Sequence, residues 1–247
     1  MKWVIVTGGT RGIGKGISEK LIEHGYGVLA IFKEREDEAL KFGNEYGFER
    51  IRIRKCDVTN PQDTGRLFQD LAIFPKNDEA IALVNNAGIY PRSSDAKDFI
   101  EMLSTNLVAP YKLIQEFAEY RRYIAINIGA TGTGAVVNIG AVNGLPGRPA
   151  SMPLYPASKA GLHRMCELLA AEYAREKLLH INTIVCGAVD TEMLQTNPAS
   201  RQAHIDNTPT GKLTTPEEVG AVALWLISMR ESNLVGAQIV LNGGKCP

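Results

Sequence analysis

Thr7-Gly-Gly-Thr-Arg-Gly-Ile-Gly14 follows a short apolar run, Trp3 to Val6, and leads into a helical pattern at about 12–24. Glycines at 8, 12 and 14 permit a tight turn and a close approach of the backbone to a phosphate. The amides of the following helix would add positive potential. A strand, a glycine-rich turn and a helix in this order predict a pyrophosphate site. The candidate binding residues are Gly8, Thr10, Arg11, Gly12, Ile13 and Gly14.

Apolar, β-branched runs alternate with amphipathic segments along the rest of the chain. Further strands are predicted at Val28 to Phe32, Ile51 to Arg54, Ile81 to Val84, Ala135 to Ile139, Ile181 to Val185 and Gln238 to Leu241. Further helices are predicted at about 35–46, 62–72, 99–128, 156–177 and 216–229. Most of the strands are apolar without alternation, which is typical of parallel strands covered on both faces.

This order predicts an α/β protein with a three-layer, doubly wound Rossmann fold and a seven-stranded parallel sheet. No linker or repeat divides the 247 residues, so we expect a single dinucleotide-binding catalytic domain over 1–247. The stretch at about 187–214 is rich in Thr, Asn and Pro and is the weakest for regular structure. Its place beyond a strand's carboxyl end suggests a substrate lid.

Composition narrows the function classes. Lys plus Arg and Asp plus Glu are equal at 27 each, so neither a nucleic acid nor a membrane is an expected partner. The four cysteines are scattered and form no CxxC pair, which indicates reduced thiols and neither a disulfide framework nor a metal site. The first apolar run is too short for a signal peptide, and we expect a cytoplasmic protein.

The end of the second predicted strand indicates which dinucleotide binds. An acid there would bond the adenosine ribose 2′-hydroxyl and repel a 2′-phosphate. Phe32 and Lys33 occupy this place instead, and Arg11 lies in the glycine loop. Two cations without an acid favour NADP(H). The alternative is that both are ordinary solvated surface charges.

Tyr155-Pro-Ala-Ser-Lys159 places a phenol and an ammonium on the same face of a predicted helix. A nearby cation favours the phenolate, so we expect Lys159 to lower the pKa of Tyr155 and make it usable as an acid or base. Taken alone, the pair could equally be two residues on a helix surface.

Together these residues resemble the short-chain dehydrogenase/reductase family, in particular its ketoreductases, across essentially the whole chain. The glycine loop resembles the family's Thr-Gly-x-x-x-Gly-x-Gly pattern, and Tyr155 with Lys159 its catalytic Tyr-x-x-x-Lys. The other segments that carry the resemblance are Asp57-Val58, Asn85-Asn-Ala-Gly88, Asn106, Thr191 and Asn242-Gly-Gly244.

The resemblance implies hydride transfer between a nicotinamide and a small carbonyl or alcohol substrate. Tyr155 would exchange the proton, Lys159 would also bond the nicotinamide ribose, and Asn106 would hold a relay water. The further cofactor contacts it implies are Asp57 and Val58 at the adenine, Asn86, Ala87 and Gly88 beside the cofactor, and Gly187, Val189 and Thr191 at the nicotinamide. Taken singly, Asp57 could be a turn residue, Asn106 a helix residue and Thr191 an N-cap.

The resemblance also implies a homotetramer or homodimer that packs through the helices at about 99–128 and 156–177. Their apolar stripes could equally face only the sheet.

The chain departs from the family at the serine that bonds the substrate oxygen, because Ala141 stands there. Asn143 or Ser151 could supply a replacement donor. The chain could instead be an engineered Ser→Ala variant, or a catalytically impaired NADP-binding scaffold or regulator. A non-redox relative of the family is a further alternative. Cys186-Gly187 replaces the usual Pro-Gly, a milder change near the nicotinamide.

Overall fold

Parallel strands order the chain from its first residues. The computed structural model describes residues 1–72, 78–90, 95–147, 153–195 and 198–245. The strands are β1 Lys2–Thr7, β2 Gly27–Phe32, β3 Ile51–Lys55, β4 Glu79–Asn85, β5 Gly134–Ala141, β6 Leu179–Cys186 and β7 Gln238–Leu241. In the described part of the chain they form one seven-stranded parallel sheet, in the order β3-β2-β1-β4-β5-β6-β7.

Helices cover both faces of this sheet. They are α1 Gly12–Glu23, α2 Glu36–Tyr46, α3 Pro61–Ala72, α4 Ala96–Leu103, α5 Ala109–Ile128, α6 Leu154–Arg175, α7 Glu192–Gln195, α8 Pro198–Asp206 and α9 Pro216–Ser228. Val4 and Val6 belong to a core with α1, α2 and α9, whereas Trp3 and Ile5 belong to a second core with α3, α5 and α6. The predicted three-layer Rossmann fold is therefore confirmed.

The strand order reverses direction between β1 and β4. In doubly wound sheets, ligands bind beyond the carboxyl ends of the strands at such a switch point. The glycine loop follows β1 and the Asn86–Gly88 segment follows β4, so both lie at this crevice.

Two predicted segments differ in detail from the structure. The helix expected at about 99–128 begins earlier, at Ala96, and contains a π-helical segment at Ser104–Val108 between α4 and α5. The segment at about 187–214 contains the short helices α7 and α8, although its composition suggested little regular structure. Composition alone could not show that β6 and the chain end brace this segment.

Candidate active site

The glycine loop leaves no room for a side chain at Gly14. A Cβ on Gly14 would lie 2.0 Å from the Gly8 carbonyl oxygen and 2.6 Å from Asn86 Nδ2. Arg11, at the N-cap of α1, has an extended backbone and makes no side-chain cap hydrogen bond. The first amides of α1 are therefore uncapped and available to an anion, as a pyrophosphate site requires.

Asn86 and Thr7 hold the loop against the end of β4. Asn86 Nδ2 donates to the carbonyl oxygens of Thr7 at 2.8 Å and Gly8 at 3.2 Å. The Thr7 hydroxyl accepts the amides of Asn86 at 2.9 Å and Ala87 at 3.0 Å. These bonds fix the two neighbouring strand ends that form the switch point.

Acidic side chains engage two of the cations at the end of β2. Lys33 Nζ lies 2.9 Å from Asp57 Oδ2, and Arg35 pairs with Glu192 of α7 at 3.0 Å. Burial opposes ionisation of Asp57, but the hydrogen bonds from Lys33 and Thr59 outweigh it and lower the pKa of the carboxyl group. Asp57, an expected cofactor contact, is thus ionised. It pairs with Lys33, the cation expected to bind a 2′-phosphate.

Tyr155 and Lys159 lie together at the start of α6, as their spacing predicted. The Lys159 ammonium is 5.9 Å from the Tyr155 ring centroid and donates to the Ile139 carbonyl oxygen at 2.9 Å. The edge of the Tyr90 ring packs on Tyr155, with centroids 4.7 Å apart and ring planes at 78°. Tyr155 therefore lies between Tyr90 and the buried ammonium.

The prediction that Lys159 lowers the pKa of Tyr155 was wrong. Burial raises the pKa of Tyr155 well above its ordinary range, because the phenolate is poorly solvated there. Burial also lowers the pKa of Lys159 to about 8. In this structure Tyr155 is a protonated phenol at neutral pH.

Asn106 is fully buried in the π-helical segment. Its Oδ1 accepts the Ile89 amide and its Nδ2 donates to the Ile89 carbonyl oxygen, both at 2.9 Å. Nδ2 also lies 3.3 Å from Ser158 Oγ. The side chain thereby fixes the segment that carries Tyr90. A role for Asn106 in a water relay stays a prediction.

Ala141 ends β5 and lies opposite Cys186 of β6 in the sheet register. Its amide donates to Nε2 of His163 at 3.3 Å. Asn143 lies in the 3-10 turn Val142–Gly144 just after Ala141 and is half-buried. Ser151, the other suggested replacement donor, lies outside the described residues.

The segment after β6 lies across the cofactor crevice. Val189 pairs with Thr214, and Arg201 of α8 holds Asp190 with two bonds of 3.1 and 2.6 Å. The Thr191 methyl group is 3.6 Å from where a Cβ of Gly12 would lie. The structure thus brings the predicted nicotinamide-side segment against the glycine loop.

Sequence reasoning missed two residues of this site. Tyr90 lies two residues after Gly88, and an aromatic residue directly beyond a predicted cofactor segment was the available signal. His163 lies one helical turn after Lys159, but nothing in the sequence indicated that it would reach β5.

No cluster of three or more His, Cys, Asp or Glu side chains that could hold a metal ion occurs in the described ranges. None of the helices in these ranges is both long and apolar enough to cross a bilayer.

Fold and site together define a Rossmann-type protein with a tyrosine–lysine pair beside a dinucleotide crevice. The family model for short chain dehydrogenases matches residues 2–202. The chain therefore belongs to the short-chain dehydrogenase family, whose members are oxidoreductases that use a nicotinamide cofactor.

Several curated relatives match along nearly their whole length. Galactitol 2-dehydrogenase of Rhizobium johnstonii is 31% identical, covering 97% of this chain and 93% of that protein. A 3-oxoacyl-[acyl-carrier-protein] reductase of Chlamydia muridarum is 31% identical, covering 98% and 96%. Acetoacetyl-CoA reductase of Rhizobium meliloti is 32% identical, covering 98% and 97%.

Solved structures agree with the fold. The Pseudomonas aeruginosa RhlG/NADP active-site complex has a TM-score of 0.82 at 27% identity and covers 99% of this chain and 96% of that one. A Serratia marcescens short-chain dehydrogenase/reductase mutant has a TM-score of 0.85 at 21% identity, covering 99% and 98%. The second supports the fold alone.

Proposed function

We propose that this protein is an NADP(H)-dependent oxidoreductase that reduces a carbonyl group to an alcohol, with Tyr155 as the proton donor. The observation that carries the proposal is the partly buried, protonated Tyr155 beside the Lys159 ammonium, at the same sheet edge as the glycine loop. A protonated phenol can give a proton to an oxygen that gains negative charge. It is less suited to remove one from an alcohol.

The residues at the crevice fit a dinucleotide. The cradle at Gly14 would be filled by any side chain, and the uncapped start of α1 suits a pyrophosphate. When bound, the nicotinamide would supply the hydride. The residues proposed to hold the cofactor are those of the glycine loop, Asp57, Val58, Asn86, Ala87, Gly88, Gly187, Val189 and Thr191, with Lys159 at the ribose.

Each protein group then has a separate task. Tyr155 donates the proton at its hydroxyl. Lys159 supplies positive charge beside the phenolate that forms, because its ammonium is already fixed by Ile139. Asn106 holds the backbone of Ile89, and through it Tyr90, against Tyr155. These tasks are positioning and electrostatic stabilisation, which the protein contributes to a cofactor reaction.

Arg11 and Lys33 support NADP(H) over NAD(H). Arg11 is exposed at the glycine loop and forms no ion pair with another described residue, and Lys33 would exchange Asp57 for a phosphate. The exchange costs little, since a solvent-exposed ion pair contributes about 0–1 kcal/mol. We expect tighter binding of NADPH than of NADH.

Fluorescence titration with both cofactors tests this preference. Arg11→Ala should weaken NADPH binding and leave NADH binding nearly unchanged. Lys33→Asp should weaken NADPH binding and strengthen NADH binding, because its carboxylate can accept from the ribose 2′-hydroxyl. Lys41→Asp, an exposed lysine on α2, is the charge-matched control and should change neither. Tighter binding of NADH than of NADPH by the unmodified chain would contradict the proposed preference.

The relatives suggest where to look for the substrate. Two of them are named as reductases of 3-oxoacyl and acetoacetyl thioesters, and a third as a polyol dehydrogenase. A carbonyl panel should therefore begin with β-ketoacyl thioesters and then take keto sugars. Oxidation of NADPH, followed at its nicotinamide absorbance, reports turnover.

Ala141 favours a second candidate function, a cofactor-binding scaffold or regulator with little turnover. Loss of one donor to a developing oxyanion costs roughly a hundred- to a thousand-fold in rate. The panel is therefore run on the unmodified chain and on Ala141→Ser. High rates in both would support a replacement donor such as Asn143, and a large gain with serine would support an impaired or engineered chain.

The remaining outcomes of this panel exclude reduction. No turnover in either chain despite tight NADPH binding would support the scaffold. Product formation without net consumption of cofactor would support a non-redox relative of the family.

Assembly through the helices at about 99–128 and 156–177 is also proposed, as a homotetramer or homodimer. Several apolar side chains there are exposed in the single chain: Val108, Tyr111, Tyr123, Ile126, Ile128 and Leu168. Burial of such a surface would stabilise an oligomer. Sedimentation equilibrium tests this, and a monomer at micromolar concentration would contradict it.

We also propose a cytoplasmic location. The buried thiols of Cys56, Cys166 and Cys186 are free, as is typical of proteins in a reducing compartment.

A further inference from the structure

His163 lies under the end of β5, one helical turn after Lys159. Its side chain is buried, with 3% exposed, and Nε2 accepts the amide proton of Ala141 at 3.3 Å. Ala141 occupies the place of the family's serine. The imidazole therefore contacts the backbone of residue 141, the position at which alanine replaces the family's catalytic serine.

The segment around Ala141 is shaped to admit this ring. A Cβ on Gly140 would lie 2.3 Å from His163 Nε2, and a Cβ on Gly144 would lie 2.9 Å from His163 Cε1. A side chain at either position would displace the imidazole. The two glycines thus leave the space that brings His163 within hydrogen-bonding distance of the strand.

Helix α6 holds strand β5 at two points. Lys159 Nζ donates to the Ile139 carbonyl oxygen at 2.9 Å, and His163 accepts from the Ala141 amide. The two helix residues are four apart, so both contacts come from one face of α6 and reach alternate residues at the end of β5. The pair of contacts fixes α6, which carries Tyr155, relative to the end of β5.

The imidazole is neutral at ordinary pH. Burial, with a smaller contribution from the Lys159 ammonium, lowers the pKa of His163 to about 4. A neutral ring that accepts at Nε2 carries its proton on Nδ1, and this buried atom has no hydrogen-bond partner among the described residues. A buried donor without a partner is costly, so an apolar residue would serve better if only packing were required.

We propose that His163 is a positioning residue, whose Nε2 lone pair fixes the Ala141 backbone and sets the distance between the end of β5 and Tyr155. The proposal rests on the proposed carbonyl reduction. In that reaction, the end of β5 at residue 141 and Tyr155 border the same substrate oxygen, and an error in their separation lowers the rate of the chemical step.

A nitrogen NMR measurement tests the contact without any activity. In the unmodified chain, the His163 ring should be the neutral Nδ1–H tautomer near neutral pH, because its pKa is about 4. His163→Met should shift the Ala141 amide resonance and speed its hydrogen exchange, whereas His163→Gln, whose carbonyl oxygen can accept, should restore much of the protection. The Nε2–H tautomer, or an Ala141 amide unchanged in His163→Met, would overturn the proposal.

Kinetics in the Ala141→Ser background test the consequence. We expect His163→Met to lower kcat by roughly ten- to a hundred-fold, since misplacement of about 1 Å can cost a hundred-fold. The KM for NADPH should change by less than about twofold, because the substitution leaves Lys159 and its bond to Ile139 in place. His163→Gln should recover most of kcat.

Two kinetic results would count against the positioning role. One is an equal loss of kcat in the Gln and Met variants, and the other is a rise in the KM for NADPH with kcat unchanged. If neither the unmodified chain nor the Ala141→Ser variant reduces any carbonyl, the proposed reductase function fails, while the tautomer measurement still decides the contact of His163.

Discussion

At the scale of single residues, burial governs the proposed acid and its neighbour. It raises the pKa of Tyr155 and lowers that of Lys159 to about 8, so burial disfavours both charged forms. Tyr155 therefore keeps its proton for a substrate oxygen. Lys159 keeps its charge below pH 8, at a cost to stability that its bond to Ile139 offsets only in part.

Lys159→Met should stabilise the fold at pH 7 while it lowers activity. The native pKa of about 8 lies below the ordinary value of 10.5, so the native state binds fewer protons between these values. The stability of the unmodified chain should accordingly rise, relative to Lys159→Met, as pH increases from about 8 to above 10. We expect a difference on the order of 1–3 kcal/mol at pH 7.

Chemical denaturation of both chains between about pH 7 and 10.5 measures this difference. The thiols and phenols of the unfolded chains titrate in the same range, but they are common to the two chains and cancel. A less stable Lys159→Met at pH 7, or a difference that does not change with pH, would contradict the account.

The sequence predicted these two residues and their proximity, because helical spacing fixes both. Its prediction for the Tyr155 pKa had the wrong direction, since spacing does not report burial. Ala141 and His163 are far apart in the chain and meet only because α6 packs on β5. Such a contact depends on tertiary packing, so neither residue's surroundings in sequence could predict it.

At the scale of elements, helix α1 positions the glycine loop and α9 positions α1. A Cβ on Gly16 of α1 would lie 2.5 Å from the Pro216 Cβ at the start of α9. Thr215 and Glu218 fix that start with a reciprocal capping box. Hydrophobic periodicity predicted both helices, and the sequence Thr-Pro-Glu-Glu indicated the N-cap of α9. Nothing in the sequence predicted the close approach of α1 and α9.

Gly16→Ala should push α1 away from α9 and weaken NADPH binding. We expect a loss of about 1–3 kcal/mol in unfolding free energy from overpacking. Gly65→Ala is the matched control, because no atom lies within 4 Å of its Cβ position on α3. That control should gain about 0.5–1 kcal/mol from helix propensity and bind NADPH normally.

Thermal unfolding and NADPH titration of the two alanine variants decide this prediction. Equal NADPH affinity in both would show that the contact between α1 and α9 does not position the cofactor loop.

The π-helical segment illustrates the limit of periodicity. Its residues continue an apolar stripe, so the sequence predicted an uninterrupted helix, yet the turn that carries Asn106 is π-helical and its side chain bonds the backbone of Ile89. Such bulges often occur at functional sites. Here Asn106 of the bulge bonds Ile89, the residue before Tyr90.

At the scale of the whole molecule, the sheet gathers the site at one edge and the segment after β6 covers it. Asp190 and Arg201 brace this segment, and the exposed Arg35–Glu192 pair links it to the end of β2. The Arg201–Asp190 pair is bidentate and has the better hydrogen-bond geometry of the two. We infer that Arg201 holds the proposed lid.

Arg201→Met should loosen the segment at about 187–214 and raise the rate of its limited proteolysis several-fold. Arg164→Met is the control, since Arg164 forms an exposed pair with Glu167 on the surface of α6. NADPH should protect the unmodified chain more than Arg201→Met. Equal cleavage rates in both variants would argue against a brace at Arg201.

The central claim is hydride transfer to a carbonyl carbon with Tyr155 as the proton donor. Its most direct measurement uses NADPH with deuterium at both C4 positions of the nicotinamide, a β-ketoacyl thioester and mass spectrometry of the product, with Ala141→Ser beside the unmodified chain. The account predicts one deuterium on the carbinol carbon and one cofactor oxidised per alcohol formed. It also predicts that Tyr155→Phe binds NADPH but forms no labelled alcohol. Alcohol without deuterium, or labelled alcohol at an undiminished rate from Tyr155→Phe, would contradict it.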